Sequence, residues 1–394
     1  MLPKTPLIEA IMKGSLDEAD SLIKSGERIP DSLHDYDLNQ LYEKLISKKA
    51  FAVLDALVAT RQIANDVYEL NRIEESIFKP LITKLPVDEA SLSFLANFIS
   101  RAQNVNEEPG GKTLLGFAFE EKADVAIIRA LIKGGCNVNL KNNAEDTLLA
   151  QVVRINMMQP EKQLAYLDLL INEGVDVNEV NVAKQSALHI AVERDKNGLV
   201  DMLLAHGAQP NEPDSQGNTS FYYALAHKFN GPLYKKLAAH TPMDFTVINR
   251  NGQTALSEYL RMMQAGDSDL ALLEELIQDG ADLNHSTPYY DELKSGWDWI
   301  LAKDLDMFKM ALEKTGFDVN TQDDNGNTFL HKLCRVDSNH SQDAAKNTYR
   351  KVKFLLDAGA DPSITNNKDE TPMTLASMDN LKAKTVELLL SFKS

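Results

Sequence analysis

The sequence predicts an all-α solenoid of about eleven helix-turn-helix units, called repeats below, joined by hairpin-like loops. Two short phrases carry this prediction, because they alternate along the 394 residues and return at a nearly constant interval. The composition agrees with a folded chain, since 43% of the residues are hydrophobic and 25% are charged. A single helical hairpin cannot bury its apolar face alone, so we expect consecutive repeats to stack.

The first phrase is a Thr or Ser followed by a short apolar run. The interval is 34 residues from Thr113 to Thr147, 39 from there to Ser186 and 33 from Ser186 to Thr219. A Thr or Ser at this place can cap a helix by accepting a hydrogen bond from a backbone N–H group. The phrase therefore marks the start of the first helix of a repeat. It occurs at Thr5, Thr113, Thr147, Ser186, Thr219, Thr254, Thr328 and Thr371.

The second phrase closes a repeat and begins with Leu-Ile or Leu-Leu, followed by two variable residues, Gly and a polar turn. Gly is typical of a helix C-terminus because it enters the left-handed region without a steric penalty. The phrase therefore predicts the end of the second helix. It occupies residues 131–139, 170–178, 203–211, 276–284 and 355–363.

Together the two phrases resemble the ankyrin repeat, which joins Gly-x-Thr-Pro-Leu-His-x-Ala to Leu-Leu-x-x-Gly-Ala-Asp-x-Asn over about 33 residues. The resemblance implies stacked helix pairs and protein recognition as the function. It also implies that the His of the first phrase ties neighbouring repeats through buried hydrogen bonds, and His189 and His331 occupy that position here. The match is closest at 185–211, 252–284, 326–363 and 369–390.

The quality of the match divides the chain into four predicted segments. These are degenerate helical repeats at 1–106, central ankyrin repeats at 107–284, a divergent repeat with a long aromatic loop at 285–325, and C-terminal repeats with a cap at 326–394. In the divergent repeat we align Trp297 with the opening Thr, which places Trp299 at the buried Leu position.

The charge balance excludes two classes of partner at this stage. The formal net charge is −17, whereas binding to nucleic acid or to an anionic membrane needs clustered Lys and Arg. No run of apolar residues is long enough to predict a membrane span, and the first 16 residues lack the continuous apolar core of a secretory signal. We therefore expect a cytoplasmic protein, and a monomer.

The sequence offers little reactive chemistry. Cys136 and Cys334 fall at positions that the repeat normally packs, so we predict small buried thiols rather than nucleophiles. Two cysteines cannot build a four-cysteine zinc site, and the eight histidines show no ligand spacing. We predict no catalytic residue, no cofactor and no metal.

Surface recognition remains, and the variable position after the His of the first phrase is predicted to line a concave groove. At this position Phe117, Ile190 and Tyr223 predict an apolar stripe, unless they pack on neighbouring hairpins instead. The long loop adds an aromatic patch. The predicted partner-binding residues are Phe117, Ile190, Tyr223, Glu258, Lys332, Tyr289, Tyr290 and Trp297.

These observations favour a non-enzymatic scaffold that binds a partner protein through the concave groove and the hairpin tips. The acidic charge favours a partner with a basic surface, because opposite charges speed encounter. One alternative is a bacterial effector, translocated into a host cell, that binds and modulates or inhibits a host protein. The others are an inhibitor that plugs an enzyme with the aromatic loop, and an enzyme whose site lies in 30–106 or 285–320.

Overall fold

The computed structural model describes residues 4–30, 32–264 and 266–392. These residues contain twenty-two α-helices and one antiparallel pair of strands. The chain divides into two compact units, Met1–Ser215 and Gln216–Ser394, called the N-terminal and the C-terminal unit below. The boundary falls inside the predicted segment 107–284, and the four predicted segments stay predictions.

The N-terminal unit is built from two layers of helices. The odd-numbered helices α1 to α11 each pack on the next odd-numbered helix, and the even-numbered helices α6 to α12 do the same beside them. The bounds are α1 (Pro6–Lys13), α2 (Leu16–Lys24), α3 (Asp35–Ser47), α4 (Phe51–Ala59), α5 (Phe78–Thr83), α6 (Glu89–Arg101), α7 (Leu114–Glu120), α8 (Val125–Lys133), α9 (Leu148–Arg154), α10 (Pro160–Asn172), α11 (Ala187–Glu193) and α12 (Asn197–Ala205). Short 3-10 turns lie at Val67–Glu69, Ile73–Glu75 and Pro109–Gly111.

The C-terminal unit repeats the same alternation of first and second helices. Its opening helix α13 continues into a π turn at Tyr223–His227, and a 3-10 turn at Asn380–Lys382 precedes the last helix. The bounds are α13 (Ser220–Tyr222), α14 (Gly231–Ala238), α15 (Ala255–Met262), α16 (Asp267–Gln278), β1 (Ser286–Tyr289), β2 (Glu292–Ser295), α17 (Gly296–Ala302), α18 (Leu305–Thr315), α19 (Phe329–Arg335), α20 (Gln342–Asp357), α21 (Pro372–Ala376) and α22 (Ala383–Ser391).

The capping role predicted for the first phrase is confirmed. The Thr113 hydroxyl oxygen accepts a hydrogen bond from the Gly116 N–H group at 3.0 Å, and Thr147 caps α9 in the same way. The prediction for the second phrase is confirmed as well, since Gly174 and Gly280 follow second helices with φ values of 86° and 101°. In both positions a side chain would be strained by the left-handed backbone.

The all-α prediction needs one correction, because the long aromatic loop folds into a β-hairpin. Strands β1 and β2 pair antiparallel, with Ser286 opposite Ser295 and Tyr289 opposite Glu292. Thr287 is buried, whereas Pro288 and Tyr290 on either side of Tyr289 are exposed. This alternation is the period of a strand, and a connection of ordinary repeat length has no room for it. None of the described helices combines the length and the hydrophobicity that a bilayer span requires.

Candidate functional site

The apolar stripe predicted along the groove is not exposed. Phe117 is 1% exposed, Ile190 0% and Tyr223 6%, so the prediction of surface anchors at these positions is wrong. The first helices are short and lie between neighbouring first helices and the layer of second helices. In α7, for example, every residue from 114 to 119 is buried. The position after the His therefore belongs to the interface between repeats.

The prediction that Glu258 is an exposed anchor is also wrong. Glu258 is only 8% exposed, and its carboxylate forms an ion pair with Arg261. The Arg261 guanidinium donates to both carboxylate oxygens of Glu258, at 3.1 and 2.6 Å. The Cζ atom of Arg261 lies 5.9 Å from the ring centroid of Tyr289. This geometry fixes the guanidinium beneath an aromatic ring, where a cation is attracted by the ring's negative face.

Lys332 is half-buried and is likewise held by charges within the chain. Its ammonium lies 2.8 Å from a carboxylate oxygen of Asp298 and 3.2 Å from one of Asp323. Burial disfavours the charged amine, but the two carboxylates outweigh burial, and the pKa of Lys332 is raised. Lys332 therefore joins the first helix of one repeat to its own loop and to the preceding repeat.

The predicted alignment of the divergent repeat is displaced by two residues. The Ser295 hydroxyl accepts from the Asp298 N–H group at 3.4 Å, and Asp298 accepts from the Ser295 N–H group at 2.8 Å. Ser295 is therefore the N-cap, and Trp297 takes the buried Leu position. Trp297 is 2% exposed and lies 5.1 Å from Phe329, centroid to centroid. The prediction that Trp297 belongs to a contact patch is wrong.

Trp299, rather than Trp297, belongs to the aromatic patch at the surface. Its ring stands edge-to-face on Tyr289, with centroids 4.8 Å apart, and Tyr289 stands edge-to-face on Tyr290 at 4.7 Å. Tyr290, in the turn between β1 and β2, is 89% exposed. We call Tyr289, Tyr290 and Trp299 the aromatic hairpin surface. The Ser-x-x-Asp spacing of 295–298 is the sequence signal that would have revealed Trp299.

Neither cysteine offers a reactive thiol. Cys136 is 5% exposed and Cys334 0%, and burial raises the pKa of each thiol to about 12. The thiolate form needed of a nucleophile is therefore scarce at neutral pH. Among the described residues, no group of three or more His, Cys, Asp and Glu side chains is placed to hold a metal ion.

The two histidines of the first phrase have the linking role that the resemblance implied. The Nδ1 atom of His331 accepts from the Thr328 N–H group at 3.1 Å, and its Nε2 atom lies 3.1 Å from the carbonyl oxygen of Glu370 in the next loop. His189 repeats this arrangement, with Ser186 at Nδ1 and the Glu212 carbonyl oxygen at Nε2.

Sequence reasoning missed a set of lysines that cap the C-termini of first helices in the C-terminal unit. Lys303 donates to the carbonyl oxygens of Arg261 and Met263, at 3.2 and 2.8 Å. Lys351 and Lys382 do the same for α17 and α19. Such carbonyls have no partner inside their own helix, and the negative end of the helix dipole favours a cation.

Paired helices with hydroxyl caps, glycine ends and loop-to-helix histidine links define a helical repeat protein. Residues 155–234 match the family model of ankyrin repeats in three copies. This part of the chain therefore contains ankyrin repeats.

Two curated relatives illustrate the extent of the similarity. A putative ankyrin repeat protein of fowlpox virus (strain NVSL) is 30% identical over 116 residues, which cover 29% of this chain and 32% of that protein. The B-cell lymphoma 3 protein homolog of Mus musculus is 27% identical over 237 residues, which cover 59% of this chain and 48% of the relative. The chain thus spans 32% and 48% of the length of these two relatives.

Among solved structures, the ankyrin repeat domain of Bcl-3 aligns with a TM-score of 0.48 at 23% identity. The alignment covers 62% of this chain and 98% of that domain.

Proposed function

We propose that the chain is a protein-interaction scaffold with no enzymatic activity of its own, and that it binds a partner protein through the aromatic hairpin surface. One observation carries this proposal. Tyr290 is 89% exposed, yet its ring contacts Tyr289, which in turn rests on Trp299. Aromatic side chains on a firm base are typical interface anchors, because they bury a large area and lose little conformational entropy.

The base of this surface is held from several sides. Pro288 packs against the preceding loop so closely that a Cβ atom at Gly252 would lie 3.2 Å from its ring. The Ser295–Asp298 cap fixes the other end of the hairpin, and Arg261 lies against Tyr289. A surface that is already ordered loses little conformational entropy on binding.

The charges around the hairpin support the choice of a basic partner. Glu292 pairs with Lys294 at 2.5 Å, and Asp291 adds a further carboxylate in the exposed turn beside Tyr290. The net charge of the whole chain is −17. We therefore propose a partner with a basic face, bound in the cytoplasm by a monomer of this chain.

The sequence left open an enzyme site in 30–106 or 285–320. The way these two regions pack supports the proposal of a scaffold instead. Residues 30–106 form α3 to α6, of which α3 packs on α1 and α5 on α7. Residues 285–320 form the hairpin, α17 and α18, and α17 packs on α15. We infer that all eleven helix pairs are ankyrin-type repeats. The translocated effector and the plugging inhibitor would use the same hairpin surface.

A photo-crosslinking experiment tests the proposal. A benzoylphenylalanine residue replaces Tyr290 in the full chain, and in a matched control it replaces Tyr68, which is 71% exposed in the N-terminal unit. We expect position 290 to crosslink to one stoichiometric protein in a cell lysate, and position 68 not to. The Tyr290→Ser variant should lose that protein in affinity capture, whereas Tyr68→Ser should keep it. Recovery of the same partner by Tyr290→Ser would contradict the proposal.

A further inference from the structure

A second surface of the C-terminal unit lies where the first helix of a pair turns into the second. A solvent-exposed turn ordinarily carries polar residues, yet at four of these turns an exposed large apolar side chain lies in the turn or at the end of the helix that enters it. The exposed fractions are 39% for Phe229, 44% for Met262, 52% for Val336 and 74% for Met378. We call these four residues the turn edge.

The backbone of the turn edge is held in place by hydrogen bonds between successive repeats. Met263, which follows Met262, accepts from the Lys303 ammonium at 2.8 Å. The carbonyl oxygen of Val336 accepts from Lys382. The Ser338 N–H group donates to Asp379 at 3.0 Å, which joins the turn of Val336 to the turn of Met378. The apolar side chains therefore stand on a fixed frame.

The charges that reach solvent in the middle of this edge are mainly acidic. The second helices α16, α18 and α20 begin with carboxylates in their first turns, and Asp267, Asp306 and Asp343 are exposed there. Two lysines of the edge are turned inward, since Lys351 is 2% exposed and Lys382 1%. Their ammonium groups are bound to main-chain carbonyl oxygens. The middle of the turn edge thus combines apolar side chains with flanking negative charge.

The spacing of the row fits one kind of occupant. Neighbouring packed helices lie about 8 to 10 Å apart, which sets the step between adjacent turns such as those of Val336 and Met378. Two turns of an α-helix rise about 11 Å, so side chains at i and i+7 of a helix laid across the repeats meet adjacent turns. Methionine adapts its shape to varied apolar partners.

We propose that the turn edge binds a basic amphipathic helix of a partner protein, with an apolar stripe facing Phe229, Met262, Val336 and Met378 and with Lys or Arg beside the stripe. The carboxylates at the starts of α16, α18 and α20 pair with those cations. This surface is separate from the aromatic hairpin surface, and its binding does not depend on the function proposed above.

The test uses the full chain and three labelled synthetic peptides of equal length. The first places Leu at i, i+3, i+4 and i+7 and Lys elsewhere, the second scrambles the same residues, and the third replaces Lys by Glu. We expect fluorescence anisotropy to show at least tenfold tighter binding of the ordered Leu/Lys peptide than of either other peptide. Equal binding of the ordered and the scrambled peptide would overturn the proposal, because it would reduce the interaction to net charge.

Near-isosteric variants locate the site without adding charge. The triple variant Met262→Gln, Val336→Thr, Met378→Gln should weaken binding of the ordered peptide at least tenfold. The matched control is Met157→Gln, whose side chain is 94% exposed in the turn between α9 and α10 of the other unit, and it should bind like the wild type. If circular dichroism shows that the triple variant does not fold, the single variant Met378→Gln, at an exposed position, replaces it in the binding measurement.

Three further outcomes decide between this site and others. The variant Asp267→Asn, Asp306→Asn, Asp343→Asn should associate more slowly with the peptide at low salt. Tyr290→Ser should bind the peptide unchanged, and a loss there would assign the peptide to the aromatic hairpin surface and overturn the proposal. Dimerisation of the chain in sedimentation velocity, abolished by the triple variant, would assign the turn edge to a second copy and would also overturn it.

Discussion

The ammonium group of Lys351, on α20, donates to the main-chain carbonyl oxygen of Leu301 on α17 at 2.7 Å, and it also donates to that of Lys303. Lys351 is 2% exposed, so one buried cation closes the C-terminus of the first helix of the preceding repeat. Burial lowers the pKa of Lys351 to about 8, although the nearby Asp304 opposes the shift. The link between these two repeats is therefore both a structural cap and a titratable group.

Replacement of Lys351 by Met should lower the free energy of unfolding at pH 7. The buried Leu301 carbonyl group loses its partner and the part-buried Lys303 carbonyl group keeps only Asn347, and an unsatisfied buried group costs about 1 to 3 kcal/mol. Relief from burying a charge offsets part of that cost, so we expect a net loss of about 1 to 2 kcal/mol in urea unfolding. Lys353→Met on the exposed side of α20 is the control and should change stability by less than about 0.5 kcal/mol.

The same lysine predicts a rise in stability at alkaline pH. Its pKa is about 8 in the folded chain and about 10.4 in an unfolded one. Between these values the unfolded chain binds more protons than the folded chain, so the free energy of unfolding increases with pH. The difference between wild type and Lys351→Met should therefore widen from pH 7.5 to pH 10, by at most about 3 kcal/mol. A constant difference across that interval would show that Lys351 does not titrate as proposed.

His331 predicts a loss of stability at acidic pH. Its Nδ1 atom accepts from the Thr328 N–H group, so the proton resides on Nε2, which faces the Glu370 carbonyl oxygen. A second proton on Nδ1 would confront a donor, and burial lowers the pKa of His331. Because the unfolded imidazole then binds protons more readily, stability should fall as the pH drops below about 6.5.

The measurement compares wild type with His331→Gln in urea unfolding at pH 7.5 and at pH 5. The advantage of the wild type should shrink at the lower pH. His340→Gln, at an exposed position, is the control and should give parallel profiles. An advantage of equal size at both pH values would contradict the assigned role of Nδ1.

The two tryptophans predict different consequences of truncation. Trp297 lies within 5.2 Å of Phe317 and 5.1 Å of Phe329, centroid to centroid, so Trp297→Ala should cost about 3 to 5 kcal/mol. Trp299 is only half-buried and supports Tyr289. Trp299→Ala should cost less than half as much in urea unfolding and should weaken partner binding. Equal losses from both variants would argue against the displaced alignment.

These tryptophans also show how far sequence reasoning extends. Caps and C-terminal glycines are local, since each depends on a hydroxyl or on a backbone angle within a few residues, and both were predicted. The exposure of Ile190 depends on what covers its helix, which no local pattern records. The alignment at Trp297 failed because the Ser295–Asp298 pair replaces the usual Thr and His.

The capping lysines escaped prediction for another reason. Lys303 lies in a turn, Lys351 within a second helix and Lys382 in a 3-10 turn, so they share no position in the repeat. What they share is a place in space above a helix C-terminus. Spatial convergence of this kind appears only after the repeats have stacked.

The buried thiols predict slow chemical modification of the native chain. Both pKa values are raised to about 12, and neither cysteine residue is more than 5% exposed, so a disulfide reagent should react only when the structure opens. We expect each thiol to react at least about 100-fold more slowly than glutathione at pH 8, since only the thiolate attacks.

Cys334→Ala leaves Cys136 as a probe of the N-terminal unit, and Cys136→Ala leaves Cys334 as a probe of the C-terminal unit. Urea should accelerate each reaction in step with the loss of helix seen by circular dichroism. Rapid stoichiometric reaction of either thiol in native buffer would contradict the packed positions assigned to them, and with them the stacking that buries the interior of each repeat.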